Sequence, residues 1–148
     1  MADTDLIIRP AGLKDVKDIM ALEQGSIAHP WIKSEIEKLI TDDNKICLAG
    51  ELKGEVVCYV GADMVLDECS IGNIVTRKDH RGEGLASMLW AELLRLLKEK
   101  GMAKVFLEVE SDNVPAITLY EKSGFTGYGL RRDYYGQGRD AVLMLKDI

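Results

Sequence analysis

The chain has 148 residues, 47% of them hydrophobic and 30% charged, with a formal net charge of −6. That length supports one hydrophobic core without disulfide or metal staples. The acidic balance argues against a general nucleic-acid binder, no run approaches the ~18 apolar residues of a membrane span, and the acidic start Met1-Ala2-Asp3-Thr4-Asp5 is unlike a signal peptide.

Leu6-Ile7-Ile8 followed by Arg9-Pro10 predicts a first strand that stops at the proline. Leu13, Val16, Ile19 and Met20 fall at helical spacing and predict a helix over Leu13 to Leu22. Ala28-His29-Pro30-Trp31 interrupts it, and Ile32, Ile36, Leu39 and Ile40 mark a second short helix. Strands follow at Lys45 to Glu51 and Glu55 to Leu66, joined by a Lys53-Gly54 turn, and Asp67-Glu68 leads into a third over Cys69 to Arg77. Links this short permit only an antiparallel meander. Gly72-Asn73 within the third strand predicts a bulge or a close approach to the backbone.

Leu85, Leu89, Leu93 and Leu97 define a long helix running to Lys100 and ended by Gly101. Val105 to Val109 reads as a buried strand, reached through a βαβ crossover and so parallel to its predecessor. A helix over Ala116 to Lys122 starts near Asn113 and stops at Gly124. Two last strands, Phe125 to Leu130 and Asp140 to Leu145, flank the loop Tyr134-Tyr135-Gly136-Gln137-Gly138. The order β-α-α-β-β-β-α-β-α-β-β predicts a single-domain α/β sandwich over residues 1–148, with a mixed, mostly antiparallel sheet. Cys47, Cys58 and Cys69 lie in or beside apolar runs and lack the close pairing of zinc sites. They read as small buried hydrophobes of a cytoplasmic protein, and no metal is expected.

The most informative segment is Arg81-Gly82-Glu83-Gly84-Leu85-Ala86, between a strand and an amphipathic helix. Two glycines allow close approach to the backbone, and the first amides of the helix, through Ser87, lack intrahelical partners. With Arg81 beside them they form a cradle for a phosphate or diphosphate. Glu83 reads as a solvated first-turn acid within it. The segment is not a dinucleotide fingerprint: Ser87 stands at the third glycine position, and the loop follows a meander instead of opening a first βαβ unit. No G-x-S-x-G occurs, and neither His29 nor His80 has an identifiable nucleophile partner. Glu108 interrupts a strand expected to be buried, where a carboxylate is costly unless used or paired; a solvated structural Glu at the strand's end accounts for it equally well. Tyr120 falls at helical spacing with Ala116 and Ile117, which by itself describes a core aromatic.

In this order of elements, with Arg81, Gly84 and Ala86 matching an R/Q-x-x-G-x-G/A loop after the fourth strand, the chain resembles the GCN5-related N-acetyltransferases, which use acetyl-CoA. It resembles most the bacterial ribosomal-protein-alanine N-acetyltransferases (the RimI type). Pro30-Trp31, Asn73-Ile74, Leu107-Glu108-Val109, Leu119-Tyr120-Glu121 and Arg131-Arg132-x-Tyr134-Tyr135 carry that likeness. The resemblance implies acetyl transfer from acetyl-CoA, as co-substrate, to the N-terminal alanine of the eighteenth protein of the small ribosomal subunit. It makes Glu108 the proton acceptor and Tyr120 the proton donor. Cofactor contacts then fall on Ile74, Val75 and Thr76 through their backbone, on Arg81, Gly82, Glu83, Gly84, Leu85, Ala86 and Ser87, and on Asn113. Trp31, Tyr134 and Tyr135 wall the acceptor groove. The expected partner is the N-terminus of a basic ribosomal protein, with neither nucleic acid nor membrane involved, and the expected state is a monomer or weak dimer. A broader N-terminal or small-amine acetyltransferase shares the chemistry. A CoA-binding sensor is the reading from a different class, and would need neither Glu108 nor Tyr120.

Overall fold

The computed structural model describes residues 5–26 and 30–148. The acidic start, Met1 to Thr4, and Ala28-His29 of the expected helix interruption lie outside the described residues. β1 (Ile7–Pro10) pairs antiparallel with β2 (Lys45–Leu52) at one edge of the sheet. β1 stops at Pro10, as the sequence predicts, and an edge strand can spare the N–H that the proline lacks. A 3-10 turn (Leu13–Asp15) leads into α1 (Val16–Ser26), which runs past the Leu22 end that the apolar spacing predicts, and α2 (Lys33–Thr41) follows. β3 (Glu55–Val65) and β4 (Glu68–Thr76) complete the meander. At its first turn Lys53 and Gly54 take positive φ (51° and 84°), the geometry that matches strand twist in a two-residue hairpin.

α3 (Leu85–Glu99) crosses over to β5 (Lys104–Glu110), which lies parallel to β4. Leu85, Leu89, Leu93 and Leu97, one turn apart, are all buried, so a single stripe of α3 packs on the sheet. α4 (Val114–Lys122) begins at the Asn113 cap, whose Oδ1 accepts from the Ala116 N–H at 3.3 Å, with Pro115 in the first turn. β6 (Thr126–Arg131) and β7 (Ala141–Asp147) are antiparallel, and β7 inserts between β5 and β6, giving the order β1-β2-β3-β4-β5-β7-β6. The result is an α/β sandwich with a mixed, mostly antiparallel sheet.

Two cores lie on opposite faces of that sheet. Val16, Ile19, Leu22, Ile36 and Leu39 of α1 and α2 pack against Cys47, Ala49, Val56, Tyr59 and Val75. The α3 stripe, with Tyr120 and Phe125, packs against Leu48, Val60, Val105, Leu107 and Met144. The first pair of helices therefore covers only β2 to β4. The same face of β5 to β7 is left open, and there Glu108 stands.

All three cysteines are free and buried, and burial pushes each thiol up to about 12. They serve as packing groups, inert as nucleophiles at neutral pH.

Candidate active site

The site begins where two strands part. β4 and β5 pair only at Glu68–Lys104, Cys69–Val105 and Ser70–Phe106. Beyond Ser70 the β3–β4 register slips by one residue, so that Gly72 is the extra residue of a bulge. From Ile71 to Thr76 no residue pairs across to β5. Alternate residues there turn N–H and C=O into the gap, where a strand-like ligand could take them up. A cavity of about 820 Å³ fills the opening.

One end of this cavity is the predicted cradle. Gly82 and Gly84 take positive φ (82° and 81°), and a Cβ at either would meet no protein atom within 4 Å. No side chain caps α3, and its first intrahelical bond is the Met88 N–H to Gly84 C=O at 3.2 Å. The amides ahead of Met88 are therefore offered outward at the positive end of a 15-residue helix. Arg81, Gly82, Gly84, Leu85, Ala86 and Ser87 all line the cavity, as do Ile74, Val75, Thr76 and Asn113. Arg81 Nε donates to the Thr76 carbonyl at 3.3 Å. Glu83 is absent from this lining; its carboxylate lies 3.1 Å from His80 Nδ1.

Glu108 and Tyr120 meet the same cavity from opposite faces of the sheet. The expectation that Glu108 sits in a buried strand is corrected. Val105, Leu107 and Val109 fill the core, whereas Phe106, Glu108 and Glu110 alternate onto the uncovered face. The Glu108 side chain is 36% exposed, so solvation is not what it lacks. It is instead oriented: the Tyr134 hydroxyl donates to Oε2 at 3.2 Å, and Arg131 Nη1 lies 3.8 Å from Oε1.

Tyr120 satisfies both sequence readings. Its ring packs edge-on against Trp90 (6.5 Å) and Phe125 (5.7 Å), as a core aromatic would. Its hydroxyl nevertheless has no hydrogen-bond partner among the described residues, and the residue lines the cavity. Burial, and then the proximity of Tyr135, push this phenol up to about 12, so it holds its proton at neutral pH.

A second cavity of about 360 Å³ continues past the parting strands, lined by Trp31, Asp63, Ser70, Gly72, Asn73, Glu108, Tyr134 and Tyr135. Trp31 packs so closely on the bulge that a Cβ at Gly72 would come 3.1 Å from its ring. Tyr134 and Tyr135 stack edge-on at 5.0 Å, and the Arg131 guanidinium lies 5.0 Å from the Tyr134 ring centre. Burial foremost, then Glu108, push the Tyr135 phenol up to about 12.

Sequence reasoning missed two parts of the site. Arg139 pairs twice with Glu110 at 2.7 Å, pinning the β6–β7 loop to β5 beside the cavity it lines. An isolated Arg in a Gly-rich loop gives no sequence signal. Glu23 is wholly buried behind the second cavity, bonded to the Trp31 N–H and to Asn73. A signal existed there: Val16, Ile19 and Glu23 share one helical stripe, so the carboxylate had to point inward.

The profile of the Acetyltransferase (GNAT) family matches residues 14–125. The chain belongs to this family. The matched stretch of this GNAT acetyltransferase includes the cradle, Asn113, Glu108 and Tyr120, while Tyr134, Tyr135 and Arg139 lie beyond it. A protein of Bacillus subtilis (strain 168), provisionally named a ribosomal protein bS18-alanine N-acetyltransferase, is 32% identical over 143 residues, covering 95% of each chain. The ribosomal protein bS18-alanine N-acetyltransferase of Escherichia coli (strain K12) is 33% identical over 128 residues, covering 83% of this chain and 84% of that one. The crystal structure of the ribosomal-protein-S18-alanine N-acetyltransferase from Escherichia coli superposes with a TM-score of 0.89 at 28% identity, over 97% of this chain and 94% of that one. This GNAT acetyltransferase is thus an N-acetyltransferase by family and by fold.

Proposed function

We propose that the protein transfers the acetyl group of acetyl-CoA to the α-amine of a polypeptide, with the N-terminal alanine of ribosomal protein bS18 as its substrate. The observation that carries this reading is the parting of β4 from β5 between the glycine cradle and the Glu108–Tyr120 pair. The residues present suit the elongated, anionic cofactor in sequence along the groove. Outward amides and Arg81 would hold the diphosphate, the exposed edge at Ile74, Val75 and Thr76 would pair with the pantetheine amides, and Asn113 lines the same arm. Acetyl-CoA, when bound, supplies the activated acyl group and a sulfur leaving group.

The chain's own residues would then manage the protons. A protein α-amine has a reference pKa near 7.7–8.0, so most of it is protonated at pH 7. Glu108, oriented by Tyr134, accepts that proton directly or through a water. Tyr120, still protonated, donates to the departing sulfur. Trp31, Tyr134 and Tyr135 wall the acceptor's approach, and the Glu108 carboxylate in the second cavity suits a cationic amine, whereas Asp63 there is paired with Lys45.

The alanine of bS18 is supported by the names of the Bacillus subtilis and Escherichia coli relatives. Work on a ribosomal protein implies the cytoplasm, and among the described residues no helix is long and apolar enough to cross a membrane. The test is mass spectrometry of peptides that differ in their first residue, incubated with protein and acetyl-CoA. A bS18 N-terminal peptide should gain one acetyl group on its α-nitrogen. A flat profile over first residues would remove the ribosomal substrate, and no α-amine acetylation at all would refute the function.

A further inference from the structure

Glu23 is fully buried and ionisable, and no step above uses it. The other buried carboxylate among the described residues, Asp15, is neutralised by Arg9, which donates twice at 2.7 and 3.0 Å. Glu23 has no cation partner among the described residues. Its oxygens accept from three neutral donors: the Trp31 N–H at 3.0 Å, Asn73 Nδ2 at 2.8 Å and the Tyr59 hydroxyl. Burial first, and then Glu23, push the Tyr59 phenol up, which keeps it a donor. As a stabilising device this is poor, since an apolar side chain of like volume would pack without desolvating a charge. What a buried, fully bonded carboxylate does well is fix its partners in one arrangement.

Two of those partners line both cavities: Trp31, just before α2, and Asn73, on the β4 bulge. A side-chain amide carries donors at one end and an acceptor at the other, and a carboxylate can only accept. With one Nδ2 hydrogen given to Glu23, the nitrogen end of the Asn73 amide is turned toward that carboxylate, and Oδ1, at the other end, makes no hydrogen bond among the described residues. The bond therefore decides which end of the amide the groove receives.

We propose that Glu23 is a positioning residue for the acceptor amine: it holds Asn73 so that the carbonyl end of the amide is offered to the groove, and it ties Trp31 to the same bulge. This rests on the reading of the chain as an acetyltransferase of peptide α-amines. An α-ammonium group has three N–H donors and a positive charge. A groove offering the Asn73 carbonyl beside the Glu108 carboxylate supplies acceptors for those donors.

Glu23→Gln keeps the volume but removes the charge and the demand for donors only. The expected result is an acceptor-peptide KM raised about tenfold, the size of one charge-assisted hydrogen bond. The KM for acetyl-CoA and kcat should stay within about twofold, and thermal unfolding should remain cooperative. Asn73→Ala should raise the peptide KM similarly, and adding Glu23→Gln to it should raise that KM no further. An unchanged peptide KM in folded Glu23→Gln, an equal rise in both KM values, or multiplying effects in the double variant would each overturn the inference. If Glu23→Gln does not fold, Asn73→Ala decides alone, and an unchanged peptide KM there is equally fatal. A parent protein that acetylates no peptide refutes the proposed function instead.

Discussion

Glu108→Gln separates chemistry from shape at this site. The amide is nearly isosteric, and its carbonyl can still accept from the Tyr134 hydroxyl that now sits 3.2 Å from Glu108 Oε2. Its neutral head no longer pairs with Arg131, 3.8 Å away, but those side chains are 54% and 36% exposed, and an ion pair so solvated contributes at most about 0.5 kcal/mol. Fold and acetyl-CoA affinity should therefore survive. The base does not survive, and its loss should lower kcat/KM for an N-terminal-alanine peptide by roughly 10²- to 10⁴-fold, equivalent to about 2.7–5.5 kcal/mol of barrier. Thiol release followed at several pH values gives a second readout. The variant can use only amine that is already neutral, so its deficit should shrink as pH rises through the amine's range near 8. A folded variant within about threefold of the parent across that range would refute Glu108 as the proton acceptor.

Tyr120→Phe removes a hydroxyl with no protein partner among the described residues, so the melting temperature should barely move while kcat falls about 10²-fold or more. Because this phenol titrates only near 12, the parent's activity should show no alkaline loss from it below about pH 11. Gly84→Ala forces a side chain into positive φ at a cost of roughly 1 kcal/mol, and the new methyl meets no protein atom within 4 Å. Calorimetry should therefore find acetyl-CoA binding weakened beyond what that strain explains. Arg9→Met leaves Asp15 nearly buried without its cation and should cost about 2–4 kcal/mol in urea unfolding. Arg9 first, and then the Gly12 amide, hold the Asp15 pKa below its ordinary 3.8. The stability from that shift is thus complete above 3.8 and lost as pH falls through the lower folded value, so acid should weaken the parent and spare the variant that loss.

Much of this was legible because it is local. The α3 stripe, the Lys53-Gly54 turn, the Asn113 cap and the glycines at 82 and 84 each follow from residues within one turn of each other. The bulge at Gly72 was legible too, as a glycine inside a strand of β-branched neighbours. The fate of β5 was not. Its short apolar run fits a strand buried on both faces, and only the reach of α1 and α2 across the sheet leaves the Glu108 face open. Periodicity assigned Tyr120 to the core, correctly for its ring; its place in the cavity wall depends on where α4 meets the parted strands. Asn73 and Tyr59 lie 50 and 36 residues from Glu23, and Glu110 lies 29 from Arg139, and no local pattern encodes such pairs.

Cofactor binding depends most on a groove opened by two diverging strands and closed at one end by outward amides. A crystal structure with coenzyme A bound tests that directly. The diphosphate oxygens should lie within hydrogen-bonding distance of amides ahead of Met88, the pantetheine should pair along Ile74 to Thr76, and the sulfur should end near Tyr120. Coenzyme A seated anywhere else, with β4 and β5 closed upon each other beyond Ser70, would contradict it.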